Sequence, residues 1–254
     1  MKKYMTLFSC FLLGLITSAG AQNGTDAGQI FEESVKNLSL KNVRGALDLQ
    51  TTDEKGNKKN RELSVIFAEF GPQKKVMIEI TAPENVKGTR ILATDFPDKE
   101  GIIQVYMPAS GKIQKYRATK SNLKRVGKNI PVNHFSNAKY SEYEAEMMGQ
   151  EIYNDIECYK IHLQVPGETE HRIAFVSKEK EQLLRMEEYD EQNELIAFTE
   201  LSEYFETDIP DHKYYPRKVH IKDIKSGKVS EMTMLRLEHL KLKADDLELK
   251  TTGS

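Results

Sequence analysis

The sequence predicts a mainly β (α+β) protein built on one large antiparallel sheet, curled or partly closed. Three observations carry that prediction. About a dozen short runs alternate apolar and polar residues with a period of two, the mark of strands with one buried face. Turn-forming clusters such as Asp53-Glu54-Lys55-Gly56-Asn57, Phe70-Gly71-Pro72 and Pro83-Glu84-Asn85 separate them. The strand–helix alternation that builds parallel sheets is missing, and strands joined by short turns pair antiparallel.

The elements follow in chain order. Lys2 and Lys3 precede an apolar stretch from Leu7 to Ile16, and Ala19-Gly20-Ala21 comes next. A short basic region, an apolar core and small residues at the cleavage positions make a secretory signal, cut after Ala21. The core is too short to span a membrane, which takes about 20 residues. Leu7-Phe8-Ser9-Cys10 looks like a lipobox, but the apolar run continues well past Cys10. The expected organisation is a cleaved signal at 1–21, one domain at 22–254 and a periplasmic location.

A helix is expected from Asp26 to Leu38. Ala27, Phe31, Val35 and Leu38 recur on one helical face, and Asp26 can cap its start. The period then changes to two at Ala46–Leu49, Leu63–Ala68 and Val76–Thr81. Further strands are expected at Arg90–Thr94, Ile102–Met107, Ile113–Tyr116, Cys158–Val165, Arg172–Ser177, Leu183–Asp190, Glu194–Tyr204, Pro216–Ile224 and Val229–Leu240. Asp190 with Asn193, and Ser226 with Gly227, mark hairpin turns. Lys120 to Asn137 is the least patterned stretch, a long loop between two halves of one sheet.

The chain of 254 residues carries 37 basic and 39 acidic side chains, so no surplus of positive charge argues for nucleic acid. The distribution is uneven. From Gly101 to Ser141 there is no acid, and Lys112, Lys115, Arg117, Lys120, Lys124, Arg125, Lys128 and Lys139 supply eight bases. Glu142 to Glu206 then holds eighteen acids against five bases. One reading is two solvated faces that attract each other across the fold. The other is a cationic rim for phosphate head groups or an acidic partner, with Lys112, Lys115, Arg117, Lys124 and Arg125 as contacts.

No catalytic constellation, cofactor motif or metal-ligand spacing emerges, and the expectation is a non-enzyme. His134, His162, His171, His212, His220 and His239 form no zinc pattern, and the glycines are too dispersed for a phosphate loop. Removal of the signal takes Cys10 with it and leaves Cys158 as the single thiol, so no internal disulfide forms. Cys158 shares strand parity with Lys160 and His162 and is expected to be partly exposed. At four strand residues, roughly 13 Å, His162 is too far away to activate it.

The strands are unusually apolar on both faces. Ile102-Ile103-Gln104-Val105-Tyr106-Met107 and Leu183-Leu184-Arg185-Met186 show it best, and Met77, Met107, Met186, Met232 and Met234 all fall in strands. Methionine adapts to variable apolar ligands, though it also serves as plain core filler. A curled sheet covered by the Phe31/Val35/Leu38 helix has room for an acyl chain.

Several segments together resemble the outer-membrane lipoprotein-sorting protein family, the LolA-like carriers. Ile80-Thr81-Ala82-Pro83-Glu84-Asn85-Val86-Lys87-Gly88-Thr89-Arg90-Ile91-Leu92 resembles the family's strand, Pro-containing turn and Lys-Gly-Thr strand start. Ile103-Gln104-Val105-Tyr106-Met107-Pro108-Ala109 resembles its Trp-x-Tyr-x-Pro-Ala segment, with Ile103 at the aromatic position. The stretch from His134 to Tyr143, Glu157–Ile161 and Tyr214–Val219 also fit, and the likeness spans roughly residues 35–245. Local physics reads these motifs as scaffold.

The resemblance implies a single strongly bent antiparallel sheet, an open half-barrel with a few short helices over its concave side. It further implies a monomeric carrier that takes a lipid or lipoprotein acyl chain from an inner-membrane transporter to an outer-membrane acceptor. The residues expected to line the cavity are Phe31, Val35, Leu38, Val65, Phe67, Ile78, Ile80, Val105 and Met186. An envelope sensor on the same fold, bound to a membrane-anchored partner, is the alternative. Only Ala244–Ser254 is left beyond the sheet.

Overall fold

The computed structural model describes residues 26–36, 38–96, 98–119, 143–210 and 212–249. One helix, α1 (Ala27–Lys36), precedes thirteen strands. The first six are β1 (Val43–Thr52), β2 (Lys58–Phe70), β3 (Gln73–Ala82), β4 (Arg90–Asp95), β5 (Ile102–Met107) and β6 (Lys112–Arg117). The others are β7 (Glu144–Tyr153), β8 (Ile156–Gln164), β9 (His171–Ser177), β10 (Leu183–Tyr189), β11 (Leu195–Ile209), β12 (His212–Asp223) and β13 (Val229–His239). A turn of 3-10 helix at Ala244–Asp246 follows.

All thirteen strands form one antiparallel sheet in the order β6-β5-β4-β3-β2-β1-β13-β12-β11-β10-β9-β8-β7, an open half-barrel. Two meanders, β1–β6 and β7–β13, are joined by the pairing of β1 with β13. The two edge strands, β6 and β7, are therefore neighbours in sequence and opposite in space. The half-barrel expected from the sequence is present. Of the few short helices expected over the concave side, α1 lies among the described residues.

The turns form as their chemistry requires. The Asp53 carboxylate accepts the backbone N–H groups of Lys55 and Asn57 at 3.0 and 2.8 Å. Asp190 does the same for Gln192 and Glu194 and is also held by Lys225. Gly88 turns the chain at φ +77°, and a Cβ there would come within 3.2 Å of Pro108. Two of the family-like motifs thus meet each other, which supports their reading as scaffold.

One strand, β7, was not among those expected. Its alternation is broken by a bulge between Met147 and Gly149, and Gly149 takes φ +128°. As an edge strand with a bulge and several glutamates, it discourages pairing with stray chains.

The inner face, on which α1 lies, carries two adjoining apolar clusters. One runs from β12 and β13 across to β5 and includes Leu47, Leu63, Val65, Ile78, Ile91, Ile103, Met232 and Met234. The other joins Ala27, Ile30, Phe31 and Val35 of α1 to Ile161, Leu163, Ala174, Val176, Leu183 and Leu201. They meet where Leu201 pairs with Val219. The outer face is buried in two places. The C-terminal segment brings Leu247 onto Ile66 and Ala68, and Leu249 onto Leu92 and Tyr106. Farther round, Cys158, Ile173, Phe175 and Leu184 form their own cluster. Two-sided burial explains the two-sided apolarity of β5 and β10: Leu183 faces α1 while Leu184 faces outward.

The segment from Leu240 to Leu249 is consequently part of the fold. Replacing Leu247, 1% exposed, by alanine is expected to cost about 2–4 kcal/mol in a urea unfolding experiment. A loss below about 0.5 kcal/mol would show that the segment is an appendage.

Candidate functional site

The candidate site is the inner face and what borders it. All nine residues expected to line a cavity lie on that side of the sheet, divided between its two clusters. Phe31 and Val35 are buried under α1, with Leu38 and Met186 packed against them. Val65, Ile78 and Ile80 are buried in the other cluster, with Phe67 and Val105 packed against it. The alternation places them there: Val65 pairs with Ile78, Ile78 with Ile91 and Ile91 with Val105, so one face of four strands is apolar throughout. In this state the clusters are closed by packing.

The cover over the second cluster is α1. Its sequence binds it to the sheet through one stripe, and Ser34 turns its hydroxyl back to the Phe31 carbonyl at 2.7 Å. A ten-residue helix is marginal alone, so α1 exists because the sheet buries its stripe. Ile30, Phe31 and Val35 supply roughly 5–9 kcal/mol of burial at about 1.5–3 kcal/mol each.

The sheet forks beside the first cluster. β12 pairs with β13 only over Lys218–Lys222 against Val229–Thr233, although both strands continue. β12 stays with β11 as far as His212, and β13 stays with β1 as far as His239. The bulge at Leu235 in β13 and the left-handed residue Glu203 in β11, φ +53°, lie beside the point where β12 and β13 part. A cleft of about 270 Å³ opens in the fork, lined by Phe205–Ile209, Arg217, Leu235–Leu237 and His239.

Of the eight bases in the acid-free segment, Lys112, Lys115 and Arg117 lie among the described residues. Lys112 and Lys115 are exposed on edge strand β6, and Arg117 faces its neighbour Glu100 at 3.6 Å. Lys124 and Arg125 lie outside the described residues, as does the signal at 1–21. The acids of β7–β11 meet bases of their own meander instead: Glu151 with Lys160, Glu157 with Lys178, Glu188 with Arg172 and Glu203 with Lys218. Among the described residues, the bases of β6 and the acids of β7 therefore stand at opposite edges of the sheet.

Cys158 corrects the sequence reading. Its parity is as expected, yet it is 0% exposed, because Phe175, Leu184, Tyr153 and Tyr189 cover the outer face there. Burial pushes its thiol pKa up. Beside it lies a network that composition alone does not reveal. Arg185, 15% exposed at its side chain, donates to Glu187 at 2.8 Å and to Glu200 at 2.6 Å. Tyr153 donates to the same Glu200 oxygen at 2.5 Å, and Tyr189 to Glu187 at 2.8 Å. The Arg185 guanidinium also lies 4.1 Å from the Phe198 ring centre. The group is mutually satisfied, so it reads as a clamp across β7, β10 and β11.

Comparisons agree with this geometry. A family model described only as "uncharacterized protein" matches residues 72–247. A search of the curated proteins finds no match. Among solved structures, a domain described as an outer-membrane lipoprotein-sorting protein from Vibrio parahaemolyticus superposes with a TM-score of 0.72 at 16% identity. It covers 87% of this chain and 95% of its own. A DUF1329 family protein from Desulfovibrio piger matches with a TM-score of 0.72 at 15% identity, covering 87% and 95%. A LolA superfamily protein from Nitrosomonas europaea gives 0.67 at 16%, covering 89% and 98%. At such identities the likeness concerns the fold.

The outer-face network makes a pH prediction. Burial, reinforced by the Glu187 hydrogen bond, pushes the Tyr189 phenol up to about 12, and burial also raises Tyr153 and Tyr204. Each holds its proton more tightly folded than unfolded, so stability is level below about pH 10 and falls as pH rises toward 12. A phenolate absorbance titration should show a late group of tyrosines ionising together with loss of the β-sheet circular dichroism. Ionisation of every tyrosine near the ordinary value of about 10 with the fold intact would contradict this.

Proposed function

We propose that this chain, which belongs to the family matched over residues 72–247 and has the fold of the lipoprotein-sorting and LolA-superfamily structures, is a periplasmic carrier of acyl chains. The single observation that carries the reading is the inner face: continuous apolar strands from β5 to β12, continued under a detachable helix. The signal at 1–21 would export it, and the mature chain would begin at Gln22.

In this reading, cargo enters by displacing α1 rather than by filling a standing cavity. An acyl chain of about 14 carbons offers roughly 11 kcal/mol of burial at about 0.8 kcal/mol per CH₂. That exceeds the roughly 5–9 kcal/mol held by the α1 side chains. The cargo therefore outcompetes the helix, and the helix reseals the face after delivery. Met186 and Met147 on the same side adapt to chains of differing shape. The exposed bases of β6, with Lys124 and Arg125, would meet the head group or the acidic surface of an inner-membrane transporter or outer-membrane acceptor.

The test is chemical. Protein purified from the periplasm of its native host should begin at Gln22 and yield close to one acyl-bearing molecule per chain by mass spectrometry of the extract. Phe31→Ala, which weakens the cover, should raise the affinity for a fluorescent fatty acid several-fold, while Val65→Asp should abolish binding. Protein that is lipid-free as isolated, and that binds no acyl probe in either wild-type or Phe31→Ala form, would refute the carrier reading.

A further inference from the structure

We infer that the fork between β12 and β13 is the head-group pocket of the carrier, shaped for a zwitterionic phospholipid. The inference rests on the carrier reading and extends it to the class of cargo. Three observations converge on it.

The first is the chemistry of the walls. Arg217 lies over the Phe205 ring at 4.7 Å and makes no ion pair with a carboxylate among the described residues. Arg236 and His239 stand on β13 across the gap, and Arg236 already contacts Glu238. Glu206, which accepts a hydrogen bond from Tyr214 at 3.3 Å, and Asp208 face the same space. A cleft with a guanidinium on each wall, Arg217 and Arg236, and carboxylates on the β11 wall suits a ligand bearing a phosphate and an ammonium. A simple anion would meet the carboxylates, and a simple cation the arginines.

The second is the connection inward. Phe205 and Leu237 line the cleft and also pack against the inner-face cluster, next to Tyr215. A ligand seated in the fork therefore touches solvent at one end and the apolar face at the other. That is the geometry an amphiphile needs and a soluble phosphate does not. Leu235, 54% exposed on the cleft wall, is a large apolar side chain left in water unless something covers it.

The third is the backbone. From Met234 to His239, β13 is paired with β1 on one side and, among the described residues, with no strand on the other. Its unpaired side offers peptide groups to a phosphate or a glycerol ester, which need donors and acceptors at close range. A volume of about 270 Å³ is close to the lower bound of roughly 300 Å³ for small-molecule sites and holds a head group without its chains.

Calorimetric titration of the delipidated mature chain decides the matter, with three probes: dihexanoylphosphatidylethanolamine below its micelle concentration, dihexanoylphosphatidylglycerol, and glycerophosphoethanolamine. The zwitterionic lipid should bind at least tenfold more tightly than the glycerol-headed lipid. Glycerophosphoethanolamine, the same head group without chains, should bind at least tenfold more weakly than either. Arg217→Gln and Glu206→Gln should each weaken the zwitterionic lipid about tenfold, with Arg217→Lys restoring part of the loss; both residues are exposed, so the fold is kept. Lys55→Gln, in the distant β1–β2 turn, should change nothing. Tight binding of glycerophosphoethanolamine would point to a soluble phosphate compound and overturn the inference, as would tighter binding of the glycerol-headed lipid. Lipid binding that ignores both substitutions would overturn the fork as its seat while leaving the carrier intact. No binding of either lipid by the wild-type chain would remove the carrier reading and this inference together.

Discussion

The antiparallel ladder between β1 and β13 runs from Val43 opposite His239 to Thr52 opposite Val229, joining the two ends of the domain at the centre of its sheet. Without it there are two separate meanders, each with an apolar face it cannot bury alone. The contact is close enough to dictate sequence: a Cβ at Gly45 would come within 3.1 Å of the Met234 sulfur. Because the partners are so distant in the chain, the loop-closure cost is met only once both meanders exist, which favours slow, late closure. The inner clusters, the cover by α1 and the fork all sit on strands whose positions this ladder sets.

From that join follows an asymmetry of covering. The outer face is buried in two places, by Leu247 and Leu249 over β2–β5 and by the Cys158 cluster and Arg185 clamp over β7–β11. The inner face of β7–β10 is sealed instead by a short amphipathic helix with a modest share of burial energy. A molecule that holds one side fast and the other lightly has its capacity for change on the inner side. Charge follows a similar logic, with bases exposed on β6 and acids on the strands leading to β7, at opposite edges.

Much of this was legible in the residues because strand alternation and turn chemistry are local. Leu63, Val65 and Phe67 announce their face, as do Val76, Ile78 and Ile80, and Asp53 announces its turn. The misses are those where tertiary context overrides parity. β7 hides because Met148 is a bulge residue, 53% exposed, and its glutamates make it look like a charged loop. Cys158 has the polar parity of Lys160 and His162, but a second cluster on the outer face buries it. The fork could not be read at all. Tyr214–Val219 looks like an ordinary scaffold strand, and only the register shows that it pairs with β13 from Lys218 onward and not before. Arg217 becomes noteworthy only once that gap is known.

The central claim is that α1 is a lid that gives way to an acyl chain on the inner face. Hydrogen–deuterium exchange of the chain, with and without a bound single-chain amphiphile such as lysophosphatidylethanolamine, measures that directly. The account predicts faster exchange across Ile30–Lys36 on binding, together with slower exchange in β8 and β9 beneath the chain. Unchanged exchange in α1 with the amphiphile bound, or added protection there, would contradict it.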